Sequence, residues 1–241
     1  MTTYHSHLIV REGWRLIAIA VLLGLVLQVS AGFFVAIPFW IATLVLGILF
    51  RDPHRVVPPK PLAIISPVDG EVTKIDTLQD PYTQSPMVQI QLNKGFFDVM
   101  IVRSPMEGKV MKQWFGVIEG NLAVGAAANA LMNTQKSAPA YCEVVDGQPA
   151  VAGVEPTACR FAQWIQSDEQ DDVVLAVRSA ARLFKPRCYA HSGERIGQGQ
   201  RCGIIPFASV VRVSVPASSR VEVKVGDTVR GGSDTLATLI H

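Results

Sequence analysis

Few side chains in this sequence stand where they suggest chemistry. Asp69 lies in Ser66-Pro67-Val68-Asp69-Gly70, and a carboxylate there can help take a proton from a nearby nucleophile. Pro-x-Asp-Gly is also ordinary turn chemistry, and the residues alone favour the turn. Ser209 follows Phe207-Ala208 at the head of a valine-rich run, where by itself it reads as a strand serine. Arg51, Asp52 and Arg55 come directly after a long apolar stretch. A planar guanidinium suits a lipid phosphate, and equally serves as the positive flank that sets membrane topology. His54 and His191 are the internal histidines able to exchange a proton. Cys142, Cys159, Cys188 and Cys202 form no Cys-x-x-Cys pair and no tight cluster with histidine. That argues against a structural zinc and for reduced thiols rather than a disulfide framework.

These residues must be carried by two different kinds of structure. The chain has 241 residues, 49% of them hydrophobic and only 17% charged, with a formal net charge of +2. So balanced a charge excludes a polyanion-binding protein, and no nucleic-acid partner is expected. The apolar excess is concentrated in residues 16–50, which carry no charge. One helix of that length would measure roughly 52 Å, too long for a bilayer core of about 30 Å. Two short helices, about 14–29 and 33–50, fit better, with a turn at Ser30-Ala31-Gly32 and Pro38 inside the second. Arg11 and Arg15 precede the run, and Arg51, Arg55 and Lys60 follow it. The positive-inside rule then puts both flanks in the cytoplasm, at an inner membrane. A cleaved signal peptide ending near Ala31 is the competing reading, disfavoured by the second apolar run that follows at once. A hairpin dipping into one leaflet is the other. Residues 1–50 are thus read as a membrane anchor and 51–241 as one domain at the membrane surface.

That domain reads as β-rich. Met87–Leu92, Val173–Val177 and Val210–Val215 are short and β-branched, and Val221–Val225 alternates strictly, with Gly, Pro, Asp and Ser between the runs. One alanine-rich helix is expected at residues 121–133. The sequence also echoes itself. Ser66-Pro67-Val68-Asp69-Gly70-Glu71-Val72 matches Ser104-Pro105-Met106-Glu107-Gly108-Lys109-Val110. Gly193-Glu194-Arg195-Ile196 with Gly199 matches Gly226-Asp227-Thr228-Val229 with Gly231. The second pair looks like the hairpin turn of biotinyl and lipoyl sandwiches, although no carrier lysine stands at a hairpin tip. A barrel-sandwich-like domain with quasi-twofold symmetry follows.

Four segments then line up in order: Phe50 to Pro58 with Arg-Asp-Pro-His-Arg, Ser66 to Gly70, Phe97 to Pro105, and Gly193 to Val215 ending in Pro206-Phe207-Ala208-Ser209. In order and spacing they resemble the short, membrane-anchored phosphatidylserine decarboxylases. The ends, about 50–110 and 178–240, resemble that family well, and the middle, about 116–172, poorly. The resemblance implies a zymogen that cuts itself between Ala208 and Ser209. The serine hydroxyl would attack the preceding carbonyl, and elimination and hydrolysis would leave a pyruvoyl group as the cofactor, with no metal. Chains 1–208 and 209–241 would stay associated, and a homo-oligomer is compatible with the reading. The substrate would be a phospholipid in the bilayer, phosphatidylserine, decarboxylated to phosphatidylethanolamine. Asp69 and Ser209 would be catalytic, Phe207, Asp98, Met100 and Arg103 would support the pocket, and Arg51 and Arg55 would meet lipid phosphate or the membrane.

The chain departs from the family pattern at the site itself. Met100 stands where the family has the histidine of Asp-Val-His, Val102 replaces an asparagine, and Ala208 replaces the glycine before the serine. A thioether cannot shuttle protons, and alanine at 208 does not take up at low cost the strained backbone that glycine permits. Either another base works here, or the reaction differs, or the protein is an inactive relative that binds lipid or scaffolds at the membrane. A transport adaptor with a lipoyl-like sandwich is a third reading, but no heptad run supplies its coiled coil.

Overall fold

Twenty-one residues, Arg11–Ala31, form helix α1, and Phe33–Leu49 form α2. The computed structural model describes residues 10–80, 82–83, 85–117, 142–145, 148–149, 159–179, 187–205 and 207–240. Residues 121–133, where a helix was expected, lie outside them. Gly32, at φ +91°, reverses the chain between the helices, a conformation that costs glycine little. The two helices are joined by Trp40 Nε1 donating to Gln28 Oε1 at 3.2 Å. The hairpin is closed at its base by the Val10 amide donating to the Phe50 carbonyl at 3.0 Å. α1 is long and apolar enough to cross a membrane, and α2 is apolar but shorter. Val29, Phe34 and Leu44 point their side chains outward, as a lipid-facing surface requires.

The rest is β-structure, all paired antiparallel. In chain order the strands are β1 (Ala63–Ile65), β2 (Gly70–Gln79), β3 (Pro86–Lys94), β4 (Ile101–Arg103), β5 (Gly108–Val117), β6 (Cys142–Val145), β7 (Gln148–Pro149), β8 (Cys159–Gln166) and β9 (Asp172–Ser179). There follow β10 (Arg187–Cys188), β11 (Arg195–Ile196), β12 (Arg201–Ile204), β13 (Ser209–Pro216), β14 (Arg220–Val221), β15 (Thr228–Val229) and β16 (Thr235–Thr238). Ten strands make one curled sheet in the order β15-β2-β3-β13-β9-β8-β5-β6-β7, with β11 beside β5. Two three-stranded sheets, β1-β16-β14 and β10-β12-β4, complete the half-barrel. The inward faces of β3, β9 and β13 supply Ile90, Leu92, Val173, Leu175, Val211 and Val213, all fully buried in one core. The strictly alternating run at 221–225 does not continue as a strand. β14 ends at Val221, and the chain turns at Gly226, with Asp227 Oδ2 accepting the Lys224 amide.

The sequence echoes correspond to two structural halves. Ser66 Oγ donates to the Val68 carbonyl and Ser104 Oγ to the Met106 carbonyl, each at 2.7 Å. The halves clasp each other reciprocally: Arg103 N donates to Pro67 O and Ile65 N to Pro105 O, both at 2.9 Å. Gly226 N bonds Val72 O as Gly193 N bonds Val110 O, and β15 pairs with β2 as β11 pairs with β5. Gly193 and Gly226 have φ of +90° and +95°, so both turns need glycine. The barrel-sandwich expectation with quasi-twofold symmetry agrees with this arrangement.

A side chain at Gly70 would put its Cβ 2.6 Å from the Asn93 carbonyl oxygen and 3.3 Å from Lys94 Cα. Gly70→Ala should therefore force β2 away from β3 and lower stability by about 1–3 kcal/mol. Gly47→Ala, with open space around it in α2, should not. Thermal melts of both variants in detergent check this, and equal melting temperatures would contradict it.

Candidate active site

Ser209 is the first residue of β13, and its register partners are Lys94 at the end of β3 and Ser179 at the end of β9. It is only 4% exposed. Its hydroxyl points back along the chain and donates to the Phe207 carbonyl at 3.4 Å. Phe207 carries a φ of +53°, unusual for a residue with a side chain. The backbone strain before the serine is thus borne at Phe207. Ala208 is not in the left-handed region, so alanine meets no penalty there where glycine's freedom had looked necessary.

The neighbour that matters most is Lys94, which is completely buried. Its Nζ donates to three backbone carbonyls: Phe207 at 3.0 Å, Asp98 at 3.1 Å and Gly95 at 3.3 Å. Burial pushes this ammonium down to about 8, against the opposing fields of Asp98 and Asp69. Sequence reasoning missed it, because a lysine closing a strand reads as solvated. A signal was present. Val88, Ile90, Leu92 and Lys94 share one face of an alternating strand, so the period of two aims the lysine into the core.

The expected site residues divide into two groups. Asp98 shapes the loop after β3 by accepting the Gly95 amide at 2.6 Å. Phe96 stacks on Phe207 with ring centres 4.8 Å apart, and Phe97 meets Phe96 edge-on. Phe96 and Phe97 are 48% and 61% exposed, an aromatic lip beside Ser209. Met100 is buried in an apolar cluster with Val10, Leu49, Phe50, Val99, Ile101 and Ile204, against which Phe207 packs. The foot of the helical hairpin therefore forms part of the wall around the serine.

The second group lies around the chain leaving the hairpin. Asp69 Oδ2 pairs with Arg55 at 2.7 Å, and Oδ1 accepts the Gly231 amide at 2.7 Å, so both oxygens hold structure. Its field still reaches Lys94. Arg103 bonds the Gly199 carbonyl at 3.1 Å and Asp52 Oδ1 at 3.2 Å, and Arg201 also pairs with Asp52. Burial pushes the Asp52 carboxyl up, with Arg201 and Arg103 pulling it back. Arg55, Arg103, Arg201 and His54 line a cavity of about 350 Å³ floored by Gly197–Gln200. Arg51 is exposed. Cys188, whose thiol is pushed up to about 11 by burial, and Cys202, raised well above its ordinary value by complete burial, are both free. Among the described residues no group of three His, Cys, Asp or Glu side chains could hold a metal.

Comparison with known proteins decides what this arrangement belongs to. A family model described as phosphatidylserine decarboxylase matches residues 46–237, which takes in Lys94, Asp69 and Ser209. The chain belongs to the phosphatidylserine decarboxylase family. Proteins named phosphatidylserine decarboxylase proenzyme are similar over 98% of this chain and 98% of their own length. They include those of Nitrosomonas europaea, 31% identical, Aromatoleum aromaticum, 33%, and Burkholderia ambifaria, 32%. No solved structure matches the chain. Within this pyruvoyl-dependent family, the chain carries an inward lysine in register with Ser209.

A lysine whose folded-state value lies below its ordinary 10.5 binds its proton more weakly folded than unfolded. The penalty is full below pH 8 and fades as pH rises towards 10.5. In a Ser209→Ala background, stability relative to the same protein with Lys94→Met should rise by roughly 2–3 kcal/mol between pH 7.5 and pH 10. Denaturant unfolding at several pH values measures it, and a constant difference would contradict the burial argument.

Proposed function

We propose that this chain is a proenzyme that converts its own Ser209 to a pyruvoyl group and then decarboxylates phosphatidylserine to phosphatidylethanolamine. The observation that carries the reading is the placement of Ser209: buried at the head of β13, with its hydroxyl turned back over the strained bend that precedes the Ala208–Ser209 bond. The residues present fit a pyruvoyl group there. Met100, Phe207 and the hairpin foot exclude water on one side, and the Lys94 amine supplies a polar group on the other. Such a group supplies a carbonyl that condenses with the substrate amine and draws off the electrons freed with CO₂.

The chain's own residues position the lipid. Phe96 and Phe97 are apolar and exposed beside the serine, suited to the acyl-glycerol side of a lipid still seated in the bilayer. Arg55, Arg103 and Arg201 outnumber Asp52 and Asp69 around the neighbouring cavity, leaving one positive charge for the headgroup phosphate. Arg51 contacts the membrane surface. Asp69 holds Arg55 and the Gly231 turn, and biases Lys94 electrostatically. The hairpin sits in the inner membrane with residues 51–241 facing the cytoplasm, and fragments 1–208 and 209–241 remain together because β13 is hydrogen-bonded to both β3 and β9.

Intact mass of the full chain purified in detergent tests this. The expected result is two fragments, 1–208 and 209–241, the shorter without a free amino terminus, and loss of CO₂ from phosphatidylserine in mixed micelles. Ser209→Ala should stay whole and inert. A single wild-type species of 26.1 kDa that leaves phosphatidylserine unchanged would overturn the reading, and favour the inactive relative that Met100 suggests.

A further inference from the structure

We propose that Lys94 is the general base for self-cleavage at Ser209, the part for which this chain has no histidine at position 100. The inference rests on the self-cleavage reading above and goes beyond it by naming the group that moves the proton.

The geometry is specific. Lys94 and Ser209 are direct register partners on adjacent strands. Lys94 Nζ and Ser209 Oγ both donate to one oxygen, the Phe207 carbonyl, at 3.0 and 3.4 Å. The two groups thus meet at one shared acceptor, two hydrogen bonds apart across the carbonyl of the residue before Ala208. The charged groups facing the amine are Asp98, on the loop after its own strand, and Asp69, on the turn before β2. β13 presents Ser209 and β9 beyond it Ser179, neither of them charged. Met100, buried in the apolar cluster, offers no proton acceptor. Complete burial disfavours the ammonium, and its value of about 8 leaves a working fraction neutral near pH 7.5.

Once the amine is neutral, its lone pair accepts the Ser209 hydroxyl, which rotates away from the Phe207 carbonyl. Nζ takes the Oγ proton as Oγ attacks the Ala208 carbonyl carbon. The Ala208–Ser209 C–N bond then breaks, and Nζ returns the proton to the departing nitrogen, which leaves an ester at Oγ and an amine at residue 209. Nζ next takes the Ser209 Cα proton, and the Cβ–Oγ bond breaks to release the Ala208 carboxylate. Nζ gives that proton to the Cβ methylene as the enamine becomes an imine, and water then adds to the imine carbon and ammonia leaves, so one water is consumed overall. The ammonium is held by three fixed carbonyls, and the neutral amine keeps N–H bonds to two of them while its lone pair turns to the serine, which aims the base without a second side chain.

The test follows cleavage of newly synthesised full-length protein in detergent, by gel, from pH 6 to pH 10. The wild-type rate should climb about tenfold per pH unit at low pH and level off near pH 8. Lys94→Met should slow cleavage at least a hundredfold, the scale expected for loss of a general base. Lys94→Arg keeps charge and donors but cannot give up its proton, and should be as slow as Lys94→Met. If the lysine were only a structural cation, Lys94→Arg would cleave faster than Lys94→Met. Either that result, or a folded Lys94→Met cleaving within about threefold of wild type, removes Lys94 from the role and leaves the self-cleavage reading standing. Should neither variant fold, the wild-type profile decides: a rate independent of pH between 6 and 9 overturns the assignment. A wild-type chain that stays whole at every pH instead sinks the self-cleavage reading, and this role with it.

Discussion

An ammonium group without solvent is the constraint around which the site is built. Water would solvate Lys94 far better than a protein interior does, and leaving such a charge unpaired would cost several kcal/mol. Three carbonyls replace the lost water, and they come from three separate places: the residue after β3, the loop that Asp98 shapes, and the bend at Phe207. Moving any of them would strand the charge. The lysine therefore holds the start of β13 in register, keeps Phe207 in its left-handed conformation, and fixes the direction in which the Ser209 hydroxyl can point.

The twofold scaffold explains why the site exists in only one of two similar halves. The turns at Asp69 and Glu107 are equivalent in the fold, yet Asp69 is drawn into the interior by Arg55 and the Gly231 amide, whereas Glu107 lies on the surface near Arg195. What breaks the symmetry is the chain leaving the helical hairpin. Residues 50–57 reach both halves: Arg55 pairs with Asp69, Asp52 with Arg103 and Arg201, Val57 lines the cavity floored by Gly197–Gln200, and Phe50 packs with Met100. The foot of the helical hairpin, Met100 and Phe207 are therefore one packed unit.

Much of this was legible in the residues. The charge-free run indicated a hairpin, and the two Ser-Pro-x-acid-Gly copies with their glycine turns indicated paired halves, because turn chemistry and apolar periodicity are local properties. The motifs drew attention to Ser209 and Asp98, and the fold places Lys94 beside both. What escaped were facts set by tertiary packing. Arg55, which a juxtamembrane position assigns to the bilayer, is turned inward to Asp69. The strain expected at residue 208 sits at 207. Lys94 looked like a solvated strand end, although its place two residues after Leu92 on the core face was the clue. A charge on an apolar face is a local inconsistency, and such inconsistencies concentrate where function is.

The protonation of Lys94 in the folded precursor tests the account most directly. Uncleavable Ser209→Ala protein, labelled with nitrogen-15 at lysine and held in detergent, can be titrated by NMR with Lys94→Met supplying the assignment. The account predicts one lysine Nζ, absent from the variant, that loses its proton near pH 8. A Lys94 signal titrating with the surface lysines near 10.5 would contradict it.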